Sequence, residues 1–339
     1  HAGFDRFEEV WRKVKGTESD MGAGATNEWV TRWLDERADN PAARDRPFFL
    51  FVNYFEPHLP YNAPEPERTR FVPAGSDPAA VDRLRRFKYP LDVQYILGQI
   101  TLEPAELALL SDLYDGEIAY VDRRIGEIVG ALKRNRLFDD TVVVVTSDHG
   151  EMLGEHHLVD HKLSVYEPVL RIPMVVRYPG RVRAGQRITT PVMLQDLYPT
   201  LLALAGVPAD PSPKSDFGPE ARSLPGIEGI TAGRTRGADP ADPILAEYAS
   251  PSDFLQVIRR EAPEFDASIY HHALLSWQVG TRKLIWSTDG AHHLYDLGTD
   301  PGESVDLGAG DASDVSAIAS RVETWLARPG SRPPLSRPR

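Results

Sequence analysis

The sequence predicts an α/β fold: a mainly parallel sheet sandwiched by helices, followed by a small C-terminal antiparallel sheet. Three observations carry this. The stretch VVVVTSDHGE (142–151) opens on four valines and closes on turn residues, the pattern of a strand buried on both faces. A long amphipathic pattern at 103–136 runs into it after a short turn, the helix-then-strand order of a parallel sheet. Finally, LLSWQVGTRKLIWSTDGAHHLYDL (274–297) alternates in short runs broken by GTR and TDGAH, an antiparallel meander.

The elements follow in order. GATNEWVTRWLDER (24–37) sets Trp29, Val30, Trp33 and Leu34 on one side of a short amphipathic helix. Pro41 and Pro47 frame a loop, and RPFFLFVNYF (46–55) reads as a second buried strand, apolar on both faces except at Asn53. It empties into EPHLPY (56–61). From Asn62 to Ile100 proline, arginine and aspartate dominate without periodicity, an irregular excursion with one short helix near 78–87. In 103–136, Leu107, Leu110, Leu113, Tyr114, Ile118, Val121, Ile125, Ile128, Val129 and Leu132 trace one apolar face. Thr101 is expected to cap its start, Glu103 and Glu106 lie in the first turn, and Lys133, Arg134 and Arg136 close the end. That charge order suits the helix dipole.

The valine strand is expected at 142–147 and a third strand at 171–178, within RIPMVVRYPG. QDLYPTLLALAG (195–206) reads as a short helix with Asp196 as N-cap and Gly206 as C-cap. Residues 207–243 look like a surface connection, and SDVSAIASRVETWLARP (313–329) like a final helix capped at Ser313. Its Val315, Ile318, Val322 and Trp325 can lie on the meander. The expected division is a core at 1–206, the connection, and a C-terminal subdomain at 244–339.

Composition narrows the function. The 339 residues are 41% hydrophobic and 26% charged with a net charge of −12, ordinary for a globular protein. No cluster of Lys and Arg is dense enough to track a phosphate backbone, so nucleic acid is not an expected partner. No apolar run reaches the ~18 residues of a membrane span. There is no cysteine, which excludes disulfides, thiolate metal sites and a Cys nucleophile among these residues. It fits cytoplasm and periplasm equally.

Asp148 and His149 stand at the carboxyl end of the valine strand, where open α/β sheets bind ligands. An Asp beside a His at a strand end is by itself an ordinary turn. Here Gly150 permits close backbone approach, and four of the ten histidines fall within 149–161. An oxygen-plus-imidazole pair suits a hard or borderline divalent cation. Lys162 follows across one loop and His58 leaves the strand at 46–55; both are therefore expected at the same sheet edge. Glu151, His156 and His157 are read as residues that support the ligands from behind or anchor the loop, His161 is left open in the same way, and His271, His272, His292 and His293 are read as surface residues.

Together these stretches resemble the sulfatase family of the alkaline phosphatase superfamily. The resemblance is carried by GFDRF (3–7), PFFLFVNYFEPHLPY (47–61), YDGEIAYVDRRIGEIV (114–129), VVVVTSDHGEMLGEH (142–156), HKLSVYEP (161–168) and KLI…HLYDLGTDPGESVDL (283–307), in that order. It implies an alkaline-phosphatase-like core, with Asp148 and His149 as ligands of a catalytic divalent cation: Ca²⁺, with Mn²⁺ or Mg²⁺ as alternatives. It implies that His58 and Lys162 contact the sulfate or ester oxygen of a small-molecule or carbohydrate sulfate ester. The chemistry asks for these types, because ester cleavage develops negative charge on the nonbridging and leaving oxygens. His58 or a nearby histidine can protonate the leaving alcohol.

Members of the family carry a C/S-x-P-x-R motif whose first residue is oxidised to a formylglycine nucleophile. No cysteine is present, and SLPGI (223–227) has isoleucine in place of the arginine. The nucleophile and adjacent acidic ligands are therefore expected in a preceding segment, and these residues alone are expected to be inactive. Three alternatives remain: a phosphonate monoester or phosphodiester hydrolase, a phosphoglycerol transferase, and a non-catalytic binder of sulfated ligands. Arg68, Arg70, Arg83, Arg85, Arg86 and Lys88 concentrate positive charge, either as a solvated surface or as a grip on an anionic sugar.

Overall fold

A computed structural model describes residues 3–10, 20–207, 222–227, 235–237, 239 and 241–328. The chain divides into two compact units: His1–Thr141 with Leu153–Asp160, and Val142–Met152 with His161–Arg339.

In the first unit, helix α1 (Ala23–Asp39) buries Ala23, Asn27, Val30 and Leu34, an i, i+4, i+7, i+11 stripe that packs on α4 (Pro104–Arg134). Its free N–H groups are met from far along the chain: Glu56 Oε1 accepts from Met21 at 2.9 Å and Ala23 at 3.3 Å. Short helices α2 (Pro78–Leu84) and α3 (Leu91–Ile96) lie in the Pro- and Arg-rich stretch; only α2 is legible in the sequence. Helix α4 starts at Pro104, with the Glu106 carboxylate accepting the Glu103 N–H at 2.8 Å. The cap is thus Glu103 and not Thr101. The expected face is largely covered, with Leu110, Leu113 and Leu132 buried, although Ile118 is 44% exposed. The buried set also takes in Leu109, Gly116, Glu117 and Tyr120, and Gly116 meets a close backbone approach, since a Cβ there would stand 2.7 Å from the Glu67 carbonyl oxygen.

Glu117 is buried among these residues. Its Oε1 accepts the Asn62 N–H at 2.7 Å. Burial, with added repulsion from Glu56 and Asp20, lifts its carboxyl from 4.5 to about 8. Between those values the folded state holds a proton that the unfolded chain has released, so stability falls as pH rises through the window. Glu117→Gln is therefore expected to stabilise the protein by on the order of 3 kcal/mol at pH 7 and by almost nothing at pH 4. Urea unfolding at the two pH values checks this; equal effects would refute it.

Residues 46–55 differ from expectation. They are extended but form no assigned strand. Phe49, Phe51 and Phe55 are 66%, 69% and 55% exposed, while Phe48 packs edge-on against Trp33 and Tyr54 joins Ala23, Ala63 and Tyr120. The period-2 pattern is present with one face covered. A strand buried on both faces also needs flanking strands, and among the described residues none pairs with it.

In the second unit, β1 (Val143–Thr146) pairs with β2 (Met174–Arg177), from Val143↔Arg177 to Thr146↔Met174. The pairing is antiparallel, whereas a mainly parallel sheet was expected. The reason lies in the path of the connection: residues 147–173 are long enough for a crossover, but their longest helix, α5, spans only Glu167–Leu170, and without the helix that usually carries a crossover the chain returns directly beside β1. Helix α6 (Leu197–Leu204) ends as expected at Gly206, where φ is +69°. The Gly206 and Val207 N–H groups bond the carbonyls of Ala203 and Leu202. Asp196 holds the N-cap position of α6 as expected, but its side chain makes no capping bond to the helix. It accepts from the N–H groups of Met193 and Arg222 and takes the Arg236 guanidinium in two 2.9 Å bonds. Residues 208–221 and 228–234 of the expected surface connection lie outside the described residues, but Arg222, Ser223, Leu224 and Arg236 are buried.

The meander is as expected. Strands β3 (Ile244–Tyr248), β4 (Leu274–Val279), β5 (Arg282–Ser287) and β6 (His293–Asp296) form one antiparallel sheet in that order. Between β3 and β4 lies α7 (Ser252–Glu261). The final helix, α8 (Ala312–Leu326), lays Val315, Ile318, Val322 and Trp325 on Leu275, Trp277, Leu284 and Leu294. Asp311, not Ser313, holds the cap position, and its carboxylate bonds Arg282 at 2.8 Å. No described helix is long and apolar enough to cross a membrane.

Candidate active site

The end of β1 is held by backbone. The N–H groups of Gly150 and Glu151 bond the carbonyls of Val169 and Pro168 at 2.7 and 3.0 Å. A Cβ on Gly150 would lie 2.0 Å from the Pro168 oxygen, so glycine is required by close approach. Gly150→Ala is expected to cost at least the ~1–3 kcal/mol of an overpacked site, read as a lower melting temperature. An unchanged melting temperature would contradict the packing.

Asp148 and His149 precede this clamp. The Asp148 side chain is 80% exposed, and its Oδ2 lies 3.8 Å from His149 Nε2. His149 Nδ1 is 2.9 Å from the Gly150 carbonyl oxygen. A carbonyl only accepts, so Nδ1 carries the proton and Nε2 presents its lone pair beside the carboxylate. This fits a divalent cation: bonds of about 2.0–2.5 Å let one ion bridge two donors 3.8 Å apart, and a carbonyl on the other nitrogen is the usual support of a ligating histidine. His161, given no role from sequence, stacks on His149 with centroids 3.9 Å apart. The buried Glu151 places Oε1 3.6 Å from His161 Nδ1, behind the ring that stacks on His149. Lys162 follows His161 directly in the chain.

His58 belongs to the first unit. Its Nδ1 donates to the Leu59 carbonyl at 2.8 Å, and its ring stacks on Phe55 at 4.6 Å. A carboxylate oxygen of Asp160 and a ring nitrogen of His58 lie within 4.8 Å of each other. Asp160 is buried, with φ +70°. Sequence reading passed over it; the signal was an acid directly before the His161–Lys162 pair. Asp148, His149 and Lys162 fall in the second unit.

The remaining candidates resolve into structural roles. His157 packs on Tyr95 at 4.5 Å, anchoring its loop as expected. His292 is not a plain surface residue: it accepts the Ser287 N–H, stacks on Trp286, and burial holds its pKa down. His293 bonds Asp306 at 2.9 Å. Of the basic cluster, Arg68 pairs with Glu65, Arg83 with Glu106, and Arg85 and Arg86 with Asp82. These carboxylates neutralise much of the charge an anionic sugar would meet.

A carboxylate and an imidazole at a strand end can together hold a divalent cation. The comparisons identify the family. The family model Sulfatase matches residues 4–207, and the chain belongs to the sulfatase family. It is 26% identical over 324 residues to the "Uncharacterized sulfatase YidJ" of Escherichia coli K12, covering 88% of this chain and 55% of that protein. It is 27% identical over 281 residues to the choline-sulfatase of Rhizobium meliloti, covering 79% and 48%. The crystal structure of the phosphonate monoester hydrolase of Agrobacterium radiobacter superposes with a TM-score of 0.65 at 23% identity, covering 92% of this chain and 64% of that one. That likeness establishes the alkaline-phosphatase-like fold. The chain spans about half the length of these two curated relatives.

Proposed function

We propose that the protein carrying this chain hydrolyses sulfuric esters, with Asp148 and His149 holding a divalent cation, of which Ca²⁺ is the first choice. The observation that carries the reading is the His149 imidazole, locked by the Gly150 carbonyl with Nε2 facing the Asp148 carboxylate. A bound cation would neutralise charge growing on the ester oxygens. Lys162 is the residue that grips the sulfate, its ammonium matched to an anionic oxygen. His58 is the residue that hands a proton to the leaving oxygen, its ring oriented by the Nδ1 bond to the Leu59 carbonyl. The nucleophile in this reading is a formylglycine. The substrate is a small-molecule or carbohydrate sulfate ester.

The likeness to a phosphonate monoester hydrolase favours a second reading on the same ligands, because both substrates present tetrahedral oxyanions. The test is hydrolysis of p-nitrophenyl sulfate and p-nitrophenyl phenylphosphonate by the complete protein, before and after chelation. Sulfate turnover that falls to background on chelation and returns with Ca²⁺ is expected. Metal-independent turnover would overturn the cation assignment, and faster phosphonate turnover would install the second reading.

A further inference from the structure

Strands β3 and β4 are direct neighbours, with Tyr248 opposite Leu274. Antiparallel neighbours are ordinarily joined by a turn of 2–5 residues. Here residues 249–273 intervene. This excursion is folded: α7 buries Leu255 and Ile258, and Phe265 stacks on Tyr270 at 6.2 Å. An excursion with its own small core, set where the sheet needs only a turn, points to a use beyond connecting strands.

Phe254 shows that use. It is half-buried on α7, and the Lys162 Nζ lies 6.0 Å from its ring centroid, the outer reach of a cation–π contact. The excursion thus sets a flat apolar face beside the lysine that follows the His149–His161 stack. A sulfate that accepts from Nζ carries its leaving group one ester oxygen away, within a few ångström, where Phe254 rather than the lysine meets it. A quaternary ammonium placed there would face the Lys162 charge; an uncharged ring would not.

We infer that Phe254 is a specificity-determining residue that stacks on the flat face of a ring-bearing alcohol or phenol, so that ring-borne sulfates are preferred to acyclic ones. This rests on the assignment of Lys162 to the sulfate. Aryl and pyranose rings share the required face, and the substrates in the test separate them. In the complete protein, kcat/KM is measured for p-nitrophenyl sulfate, glucose 6-sulfate and n-propyl sulfate. Phe254→Ala and the volume-retaining Phe254→Leu are expected to lower the ring-to-propyl ratio roughly 3- to 12-fold, the scale of one aromatic contact. Phe254→Tyr should hold the ratio within about twofold, since it keeps the stacking face. A drop confined to p-nitrophenyl sulfate identifies an aryl group, and one confined to glucose 6-sulfate a sugar. A ratio unchanged in Phe254→Leu, or equal losses on all three esters, overturns the inference. If the unsubstituted protein turns over no sulfate ester, the sulfatase reading fails and this inference with it.

Discussion

Lys162→Ala is expected to lower kcat/KM for p-nitrophenyl sulfate about 10²–10³-fold in the complete protein, the usual loss on removing one donor to a developing oxyanion. The side chain is half-buried and packs over a ring of α7, so its loss should shift the melting temperature little. Lys162→Arg should restore only a small part, because a planar fork does not reproduce a compact ammonium. Steady-state kinetics beside a thermal melt separate the effects. A loss under about fivefold, or one matched by a large fall in melting temperature, would remove Lys162 from the site.

Lys283→Ala is expected to be the most destabilising change in the C-terminal sheet. The Lys283 side chain is fully buried, and its Nζ lies 2.8 Å from both Glu167 Oε1 and Glu303 Oε1. Glu303 also accepts the Glu167 N–H at 2.6 Å. Removing the cation leaves the fully buried Glu303 carboxylate without its counter-charge beside the half-buried Glu167, a loss of about 3–5 kcal/mol. Burial raises the Glu303 pKa, with Lys283 opposing, and in the variant that opposition is gone. A carboxyl with a raised folded pKa costs stability as pH rises, so the deficit should shrink at pH 5 as Glu303 takes up a proton. Chemical unfolding at pH 5 and pH 7.5 reads this directly. A deficit independent of pH would mean the loss is one of packing.

Several features lay open in the sequence because their causes are local. The meander follows from alternation and turn residues, and the end of α6 from one glycine. The Asp148–His149 pair follows from a β-branched run ending in polar residues, and the need for Gly150 from its place beside them. The order of motifs was enough to assign the family. Where the sequence misled, the cause was distant in the chain. Nothing near α1 announces that Glu56 caps it, or that the Asp196 side chain, at the N-cap position of α6, turns to Arg236. The close backbone approach at Gly116 and the burial of Glu117 beside it are not encoded in hydrophobic periodicity. Strand direction between β1 and β2 depends on the path of the connection, not on the residues of either strand. Glu151 beside His161, Asp160 beside His58 and Phe254 beside Lys162 became visible only in three dimensions. Periodicity and turn chemistry act over a few residues and can be read from order alone, whereas charge pairing, stacking and close approach depend on which distant segments the folded chain brings together.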